Sequence, residues 1–236
     1  MKSLCGNFED VGATKTDFKK YKRDLNKYIG DNDAELAMQR LKNKQKHLSN
    51  FSCDYVVRVD GILGGLFWAD EYMKTNYFTF GDVVAFDGTY RSNKYDMISV
   101  PFTGVDNHNR NITLGAAILG NETAEMYKWL LQSYVKAFGF APLVIVTNQD
   151  AAMRRAVEDV LPTSRHKLCM WHIWDKLTSK VGSALCNTID FKKQLCRIVW
   201  TYAITPAEFE KEWHAIPPAE FVIFVTPPNP LTEFYR

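Results

Sequence analysis

Two acids and one amide directly follow apolar runs that have the composition of buried strands. Asp87 comes after VVAF (83–86), Asn148 comes after VIVT (144–147), and Asp150 lies two residues further on. If these runs are parallel neighbours, their ends lie about 4.8 Å apart at one edge of a sheet. Carboxylates held there bind Mg²⁺, which activates a water or a 3′ hydroxyl for attack on a phosphodiester. The three residues are therefore candidate catalytic positions, with Asp87 and Asp150 as candidate Mg²⁺ ligands.

Asn148 stands where this arrangement requires a second acid. Its amide oxygen is a neutral ligand, so the site would attract Mg²⁺ less strongly and balance less charge in the transition state. Asp and Asn also commonly follow strands because turns favour them. A purely structural role for these residues is the alternative interpretation.

Cys169 and His172 form a C-x-x-H motif, with His166 three residues before the cysteine. A structural zinc site normally has four ligands, often in two closely spaced pairs. Cys186 and Cys196 are too far apart to supply the second pair. Cys169 and His172 remain candidate metal ligands, beside two alternatives. These are a buried thiol with a capping or core histidine, and a Cys–His nucleophilic pair.

Strand and helix patterns alternate between residues 82 and 182, and they position these residues. Apolar runs bounded by turn residues predict strands, and apolar residues spaced three to four apart predict helices. The predicted elements are strands at 82–87, 97–106, 111–120, 143–150 and 165–171, and helices at 122–139, 151–161 and from 172 onward. The order β-β-β-α-β-α-β-α is that of ribonuclease-H-like proteins. We predict an α/β fold with such a mixed sheet, an N-terminal helical and hairpin extension, and a helical C-terminal part.

The flanking regions differ from this core. The first 50 residues hold 11 Lys and Arg against 7 Asp and Glu, with a predicted helix at 32–48. Asp60-Gly61 predicts the turn of a hairpin. Thr205 and Glu208 are spaced as a capping box, whereas the apolar hexamer FVIFVT (221–226) lies among prolines. The predicted segments are a basic helical linker (1–50), a hairpin leading into the core (51–80), the core (81–182), and a helical segment with an atypical tail (183–236).

Composition excludes several classes of protein. The 236 residues are 46% hydrophobic and 14% aromatic, enough for a large core and unlike a disordered chain. No apolar run reaches the roughly 18 residues that a membrane helix needs, and the N-terminus has no secretory pattern. Five scattered cysteines indicate reduced thiols inside the cell. The net charge of +2 argues neither for nor against binding to nucleic acid.

Four stretches resemble the Mutator-like-element (MULE) transposase domain, and more closely its domesticated plant descendants, the far-red impaired response family and its related sequences. They are FGDVVAFDGTYRSNKYDMISVPFTGVDNH, GAAILGNETAEMYKWLL, APLVIVTNQDAAMRRAV and LPTSRHKLCMWHIWDKL. The resemblance implies descent from a D-D-E metal site. Asp87 matches its first acid, Asn148 the acid that opens the motif T-D-x-D, and Asp150 the last acid of that motif. Cys169 and His172 match the family's C-x-x-H motif.

The sequence departs from that family in its third acid and its zinc modules. The glutamate of the later family segment is not found, nor are the WRKY-like domain and the SWIM finger. The resemblance implies a nuclear, DNA-associated transcription regulator of light-controlled development, here a non-catalytic fragment that lacks the zinc modules. The resemblance also implies that the chain requires no cofactor and that any Mg²⁺ site is vestigial. Zinc is expected only in those modules. Expected partners are DNA, weakly or indirectly, and family members in homo- or hetero-oligomers, without a membrane.

Two alternatives stay open. The chain could be an active metal-dependent transposase or nuclease that uses Asp87, Asp150 and an acid of the late helix. The candidates for that acid are Glu208, Glu210 and Glu212. The chain could instead be a truncated remnant without function.

Overall fold

The structure, a computed structural model, describes residues 12–30, 32–91, 93–181, 191, 193–194, 196–197 and 205–215. The chain divides into two compact units, Met1–Ser49 and Asn50–Arg236. Several predicted features lie outside the described residues, namely the end of the core at 182, most of the helical segment from 183, the apolar hexamer 221–226, and the reduced thiols of Cys5 and Cys186. No helix within the described ranges has the length and hydropathy of a membrane span.

The first unit contains two helices, α1 (Lys15–Ile29) and α2 (Asp33–His47). Helix α1 begins with a capping box in which the side chains of Thr14 and Asp17 each bind the other's backbone N–H. Such reciprocal bonds satisfy amides that have no partner within the helix. Helix α2 confirms the helix predicted at 32–48. Neither helix has a buried residue, so the basic segment is built of exposed helices.

The second unit opens with a hairpin of strands β1 (Ser52–Val57) and β2 (Leu63–Ala69), which pair antiparallel as predicted. Gly61 turns the chain at φ +80°, a backbone conformation that glycine adopts without strain. Strand β2 also pairs with a strand of the main sheet, so the hairpin extends that sheet. Helix α3 (Glu71–Phe80) follows, and Asp70 caps it by accepting from Met73 N.

Eight strands within the described ranges form one mixed sheet, in the order β1-β2-β6-β5-β3-β7-β8 with β4 paired to β5. The remaining strands are β3 (Val83–Phe86), β4 (Thr89–Arg91), β5 (Ile98–Val105), β6 (Asn111–Leu119), β7 (Val144–Thr147) and β8 (Arg165–Leu168). β3, β7 and β8 are parallel, and the other pairs are antiparallel. This mixed sheet confirms the predicted ribonuclease-H-like fold class.

Helices connect the parallel strands, as crossover connections require. They are α4 (Ala124–Phe138), α5 (Ala151–Val160) and α6 (Met170–Val181), with α7 (Pro206–His214) near the end of the described chain. Thr123 caps α4, which ends at the left-handed Gly139 (φ +84°). Thr205 and Glu208 form the predicted capping box of α7.

An aromatic core lies between the sheet and helices α3 and α4. Phe102 of β5 is fully buried and stacks on Tyr134 of α4, with ring centroids 4.2 Å apart. It also stacks on Phe86 at 5.3 Å and meets Phe67 edge to face at 6.2 Å. Because Phe86 is the last residue of β3, this packing fixes the end of the strand that carries Asp87.

Candidate functional site

The parallel register aligns the carboxyl ends of three neighbouring strands. Ala85 of β3 pairs with Val146 of β7, and Thr147 of β7 pairs with Leu168 of β8. Continuing both ladders brings Asp87, Asn148 and Cys169 into one row at the edge of the sheet. This row is the candidate site, which we call the carboxyl edge.

Both carboxylate oxygens of Asp87 have partners within the chain. Asn148 Nδ2 donates to Asp87 Oδ1 at 2.7 Å. His172 Nε2 lies 2.8 Å from Asp87 Oδ2. Asp87 therefore joins the end of β7 and the first turn of α6 to the end of β3. Its side chain is 29% exposed and that of His172 is 23% exposed, so solvent competes only partly for these contacts.

The orientation of the Asn148 amide follows from its second hydrogen bond. Its Oδ1 accepts from the backbone N–H of Asp150 at 2.8 Å, so Nδ2 is the group that faces Asp87. Asp150 Oδ1 in turn accepts from Met153 N at 2.8 Å and caps α5. A capping carboxylate satisfies a free amide and favours the positive end of the helix dipole. Asp150 thus starts a helix and is linked to Asp87 through Asn148.

The C-x-x-H spacing has a local explanation. Cys169 extends the ladder beyond β8, donating its N–H to Thr147 O at 2.7 Å. Its carbonyl accepts from Ile173 N at 3.1 Å, so the helix begins directly after the strand. Three residues beyond Cys169 is the first turn of α6, which places His172 against Asp87. Among the described residues, Cys53, Cys169 and Cys196 form no disulfide.

The contacts of His172 indicate which ring nitrogen faces Asp87 as a donor. The carboxylate of Asp87 can only accept, so the nitrogen that faces it must donate. Nδ1 is buried and has no hydrogen-bond partner among the described residues. A proton on Nδ1 would be a buried donor without an acceptor, which is costly. The geometry therefore favours the tautomer that binds Asp87.

Glu122 and Tyr127 are site residues that the sequence analysis missed. A Cβ on Gly88 would lie 3.0 Å from Glu122 Oε1, so this carboxylate reaches the residue that follows Asp87. Tyr127 donates its hydroxyl to Glu122 Oε1 at 3.3 Å. Burial raises the pKa of Tyr127 well above its usual range, and the charges of Glu122, Asp150 and Asp87 raise it further. Helix α4 starts after Thr123, so Glu122 lies outside the helix turn in which the sequence pattern placed it.

His166 lies on β8 beside the same edge. Thr147 Oγ1 donates to Asn148 O at 2.8 Å, which uses its only proton, so it accepts from His166 Nε2 at 2.8 Å. Burial lowers the pKa of His166 from 6.5 to about 4, with a further contribution from the charge of Arg154. His166 is therefore neutral in the folded protein at neutral pH.

We expect acid to destabilise the fold through His166. Between pH 6.5 and about 4 the unfolded state binds a proton that the folded state does not, so stability falls as pH falls. The side chain is partly exposed, which reduces the expected loss to about 1 kcal/mol between pH 7 and 5. Urea unfolding at both pH values measures it. The control His166→Gln keeps an N–H donor but cannot titrate, so its loss should be smaller, and equal losses would contradict the prediction.

The described residues do not fit the ion-binding edge of a D-D-E site. Within the described ranges, no three His, Cys, Asp or Glu side chains come together as a metal-binding group. Asp87 is engaged on both oxygens, Asn148 is neutral, and Asp150 caps a helix. His172 points its proton-bearing nitrogen at Asp87 and buries the other. The Mg²⁺ and zinc assignments stay predictions from sequence.

The acids of the late helix have partners near them in the chain. Glu208 Oε2 accepts from Thr205 N. Glu210 Oε2 lies 3.8 Å from His214 Nδ1, and Glu212 Oε2 lies 3.5 Å from Arg197 Nη2. None of them joins Asp87 in a group of three or more possible ligands within the described residues.

Comparison with known proteins identifies the domain that contains the carboxyl edge. Residues 83–176 match the family described as the MULE transposase domain. Protein FAR1-RELATED SEQUENCE 5 of Arabidopsis thaliana is 32% identical over 212 residues, which cover 89% of this chain and 27% of that protein. Protein FAR-RED IMPAIRED RESPONSE 1 of the same plant is 27% identical over 216 residues, which cover 90% of this chain and 26% of that protein. The chain spans about a quarter of the length of these relatives.

This chain carries a MULE transposase domain and belongs to the family of FAR-RED IMPAIRED RESPONSE 1 and its related sequences.

Proposed function

We propose that this chain is part of a transposase-derived nuclear regulator of transcription that associates with DNA without cutting it. One observation carries the proposal: the amide of Asn148, which the family resemblance matches to the second acid, donates a hydrogen bond to Asp87. Ion-assisted phosphodiester attack needs carboxylates that bind the ions and leave an open coordination position. On the match of Asp87 and Asn148 to the first two acids, the first accepts from two donors and the second is a neutral side chain.

A plasmid assay tests the absence of cleavage. We expect supercoiled plasmid incubated with the chain and MgCl₂ or MnCl₂ to remain supercoiled on an agarose gel. Asp87→Asn is the matched control, since it removes the charge while keeping a similar shape. Nicking by the wild-type chain that disappears in Asp87→Asn would contradict the proposal.

DNA association is expected to be weak and sensitive to salt. Phosphate contacts by Lys and Arg dominate non-specific affinity, and a net charge of +2 supplies few of them in excess. Fluorescence anisotropy with a short duplex should give a dissociation constant of about 10⁻⁴ to 10⁻⁶ M at physiological salt, weakening as salt rises. Tight, sequence-specific binding by this chain alone would contradict this expectation.

Location and assembly complete the proposal. A fluorescently tagged chain should accumulate in plant nuclei, and it should copurify with itself or with family members. The family relationship supports both expectations. Exclusion of the tagged chain from nuclei would count against a role in transcription.

A further inference from the structure

We propose that the side chain of Asp87 holds the start of helix α6 to the ends of strands β3 and β7 without a bound ion. We call its hydrogen bonds with Asn148 and His172 the tie. We propose further that Asn148 is the residue that makes the tie independent of an ion. The inference rests on the proposed function in that it takes the carboxyl edge as non-catalytic. It goes further by giving the edge a present physical role and a single residue that controls it.

The contacts of Asp87 span three elements that are distant in the chain. Asp87 directly follows β3, Asn148 directly follows β7, and His172 lies in the first turn of α6. Both hydrogen-bond distances, 2.7 and 2.8 Å, are typical of strong bonds to an ionised carboxylate. One carboxylate therefore fixes the positions of two strand ends and a helix start.

Asn148 removes the need for a cation between the side chains at positions 87 and 148. A carboxylate at position 148 would bring its oxygens to about the 2.7 Å that now separate Asn148 Nδ2 from Asp87 Oδ1. Two carboxylates at that distance repel each other unless a cation or a proton lies between them. Asp150 and Glu122 lie beside the same pair, since Asp150 donates its N–H to Asn148 and Glu122 Oε1 reaches Gly88, so their charges add to the same region. The amide replaces that repulsion with a donated hydrogen bond.

His172 completes the tie without an ion. Its Nε2–H is directed to the second oxygen of Asp87, so each oxygen of this carboxylate already accepts one hydrogen bond from the chain. The helix start also brings backbone N–H groups and the positive end of the helix dipole toward the same edge. The negative charge of Asp87 is thus balanced by groups of the chain itself.

The thermal stability of the whole chain, measured in EDTA and in millimolar MnCl₂ or MgCl₂, tests the tie. The wild-type melting temperature should be the same in all three solutions. Asn148→Asp should melt lower in EDTA, by about 5 °C for a change of this kind, and should recover in MnCl₂. The matched control Asn148→Ala should also melt lower but should not respond to the ion, because it removes the donor without adding a charge.

Each outcome decides the matter. A wild-type chain that MnCl₂ stabilises, or an Asn148→Asp variant as stable in EDTA as the wild type, would overturn the tie. If Asn148→Asp is unfolded in EDTA, circular dichroism gives the answer: folding on addition of MnCl₂ supports the tie, and no folding overturns it. These measurements contain no DNA, so failure of the tie is distinguishable from failure of the proposed function, which the plasmid and binding assays test separately.

Discussion

Replacing Phe102 by Ala should lower the free energy of unfolding by about 4 kcal/mol. The ring is fully buried and contacts Phe67, Phe86 and Tyr134, so its removal leaves a cavity among large rings that cannot collapse without moving the sheet or α4. Lost stacking adds to the lost burial. Urea unfolding followed by circular dichroism measures the change.

Tyr72→Ala is the matched control for Phe102→Ala. Tyr72 lies on α3 and is 82% exposed, so its removal should change stability by no more than about 0.5 kcal/mol. Equal losses in the two variants would mean that the aromatic core does not stabilise the sheet. Because Phe102 stacks on Phe86, the Phe102 variant should also loosen the end of β3 and speed amide exchange there.

Replacing Asp87 by Ala should cost about 2–3 kcal/mol. The change leaves the Asn148 amide and the His172 ring without their acceptor in a partly buried place. The cost stays below that of a fully buried ion pair because both side chains retain some exposure. Urea unfolding in EDTA measures it without interference from ions.

Asp87→Asn should cost roughly half as much as Asp87→Ala. Its carbonyl can still accept from Asn148, but its amide would face His172 Nε2 and force the ring proton onto the buried Nδ1. An ion-binding edge predicts the opposite sign, since removing one carboxylate from a cluster of acids relieves repulsion when no ion is bound. A stabilised Asp87→Ala in EDTA would therefore contradict the tie and favour an ion site.

The structure gives a physical reason why an amide can stand beside Asp87 at this edge. The edge of a ribonuclease-H-like sheet gathers side chains from neighbouring strands whatever their chemistry, because the parallel register brings the strand ends together. Once Asn148 faces Asp87, the two side chains satisfy each other. On the proposal made above, the edge then contributes to the stability of the fold.

Much of the sheet could be predicted because its strands have simple patterns. The runs at 83–86 and 144–147 are continuously apolar, as parallel strands covered on both faces are, and Asp60-Gly61 marks its hairpin directly. Helix α3 was not predicted, since its exposed Tyr72 and Phe78 obscure the helical period. Pairing of the hairpin with β6 joins residues far apart in the chain, and no local pattern encodes it.

Some features of the candidate site could likewise be predicted from the sequence, and others could not. The strand ends identified Asp87, Asn148 and Asp150 as residues of one edge, because parallel neighbours end together. The sequence could not indicate that Asp150 caps α5 or that Glu122 reaches Gly88, since both depend on where helices begin in space. The C-x-x-H motif was recognised, but its spacing alone did not distinguish a zinc pair from a helix start.

The positions of most strands along the chain, the acid after β3 and the amide after β7 follow from the sequence alone, because short-range apolar patterns and residue types specify them. The partners of Asp87 were decided by the tertiary structure. Only the parallel register sets Asn148 opposite Asp87, and only the immediate start of α6 after β8 turns His172 toward it. Hydrogen bonds depend on distances of a few ångströms, and packing of elements remote in the chain sets those distances.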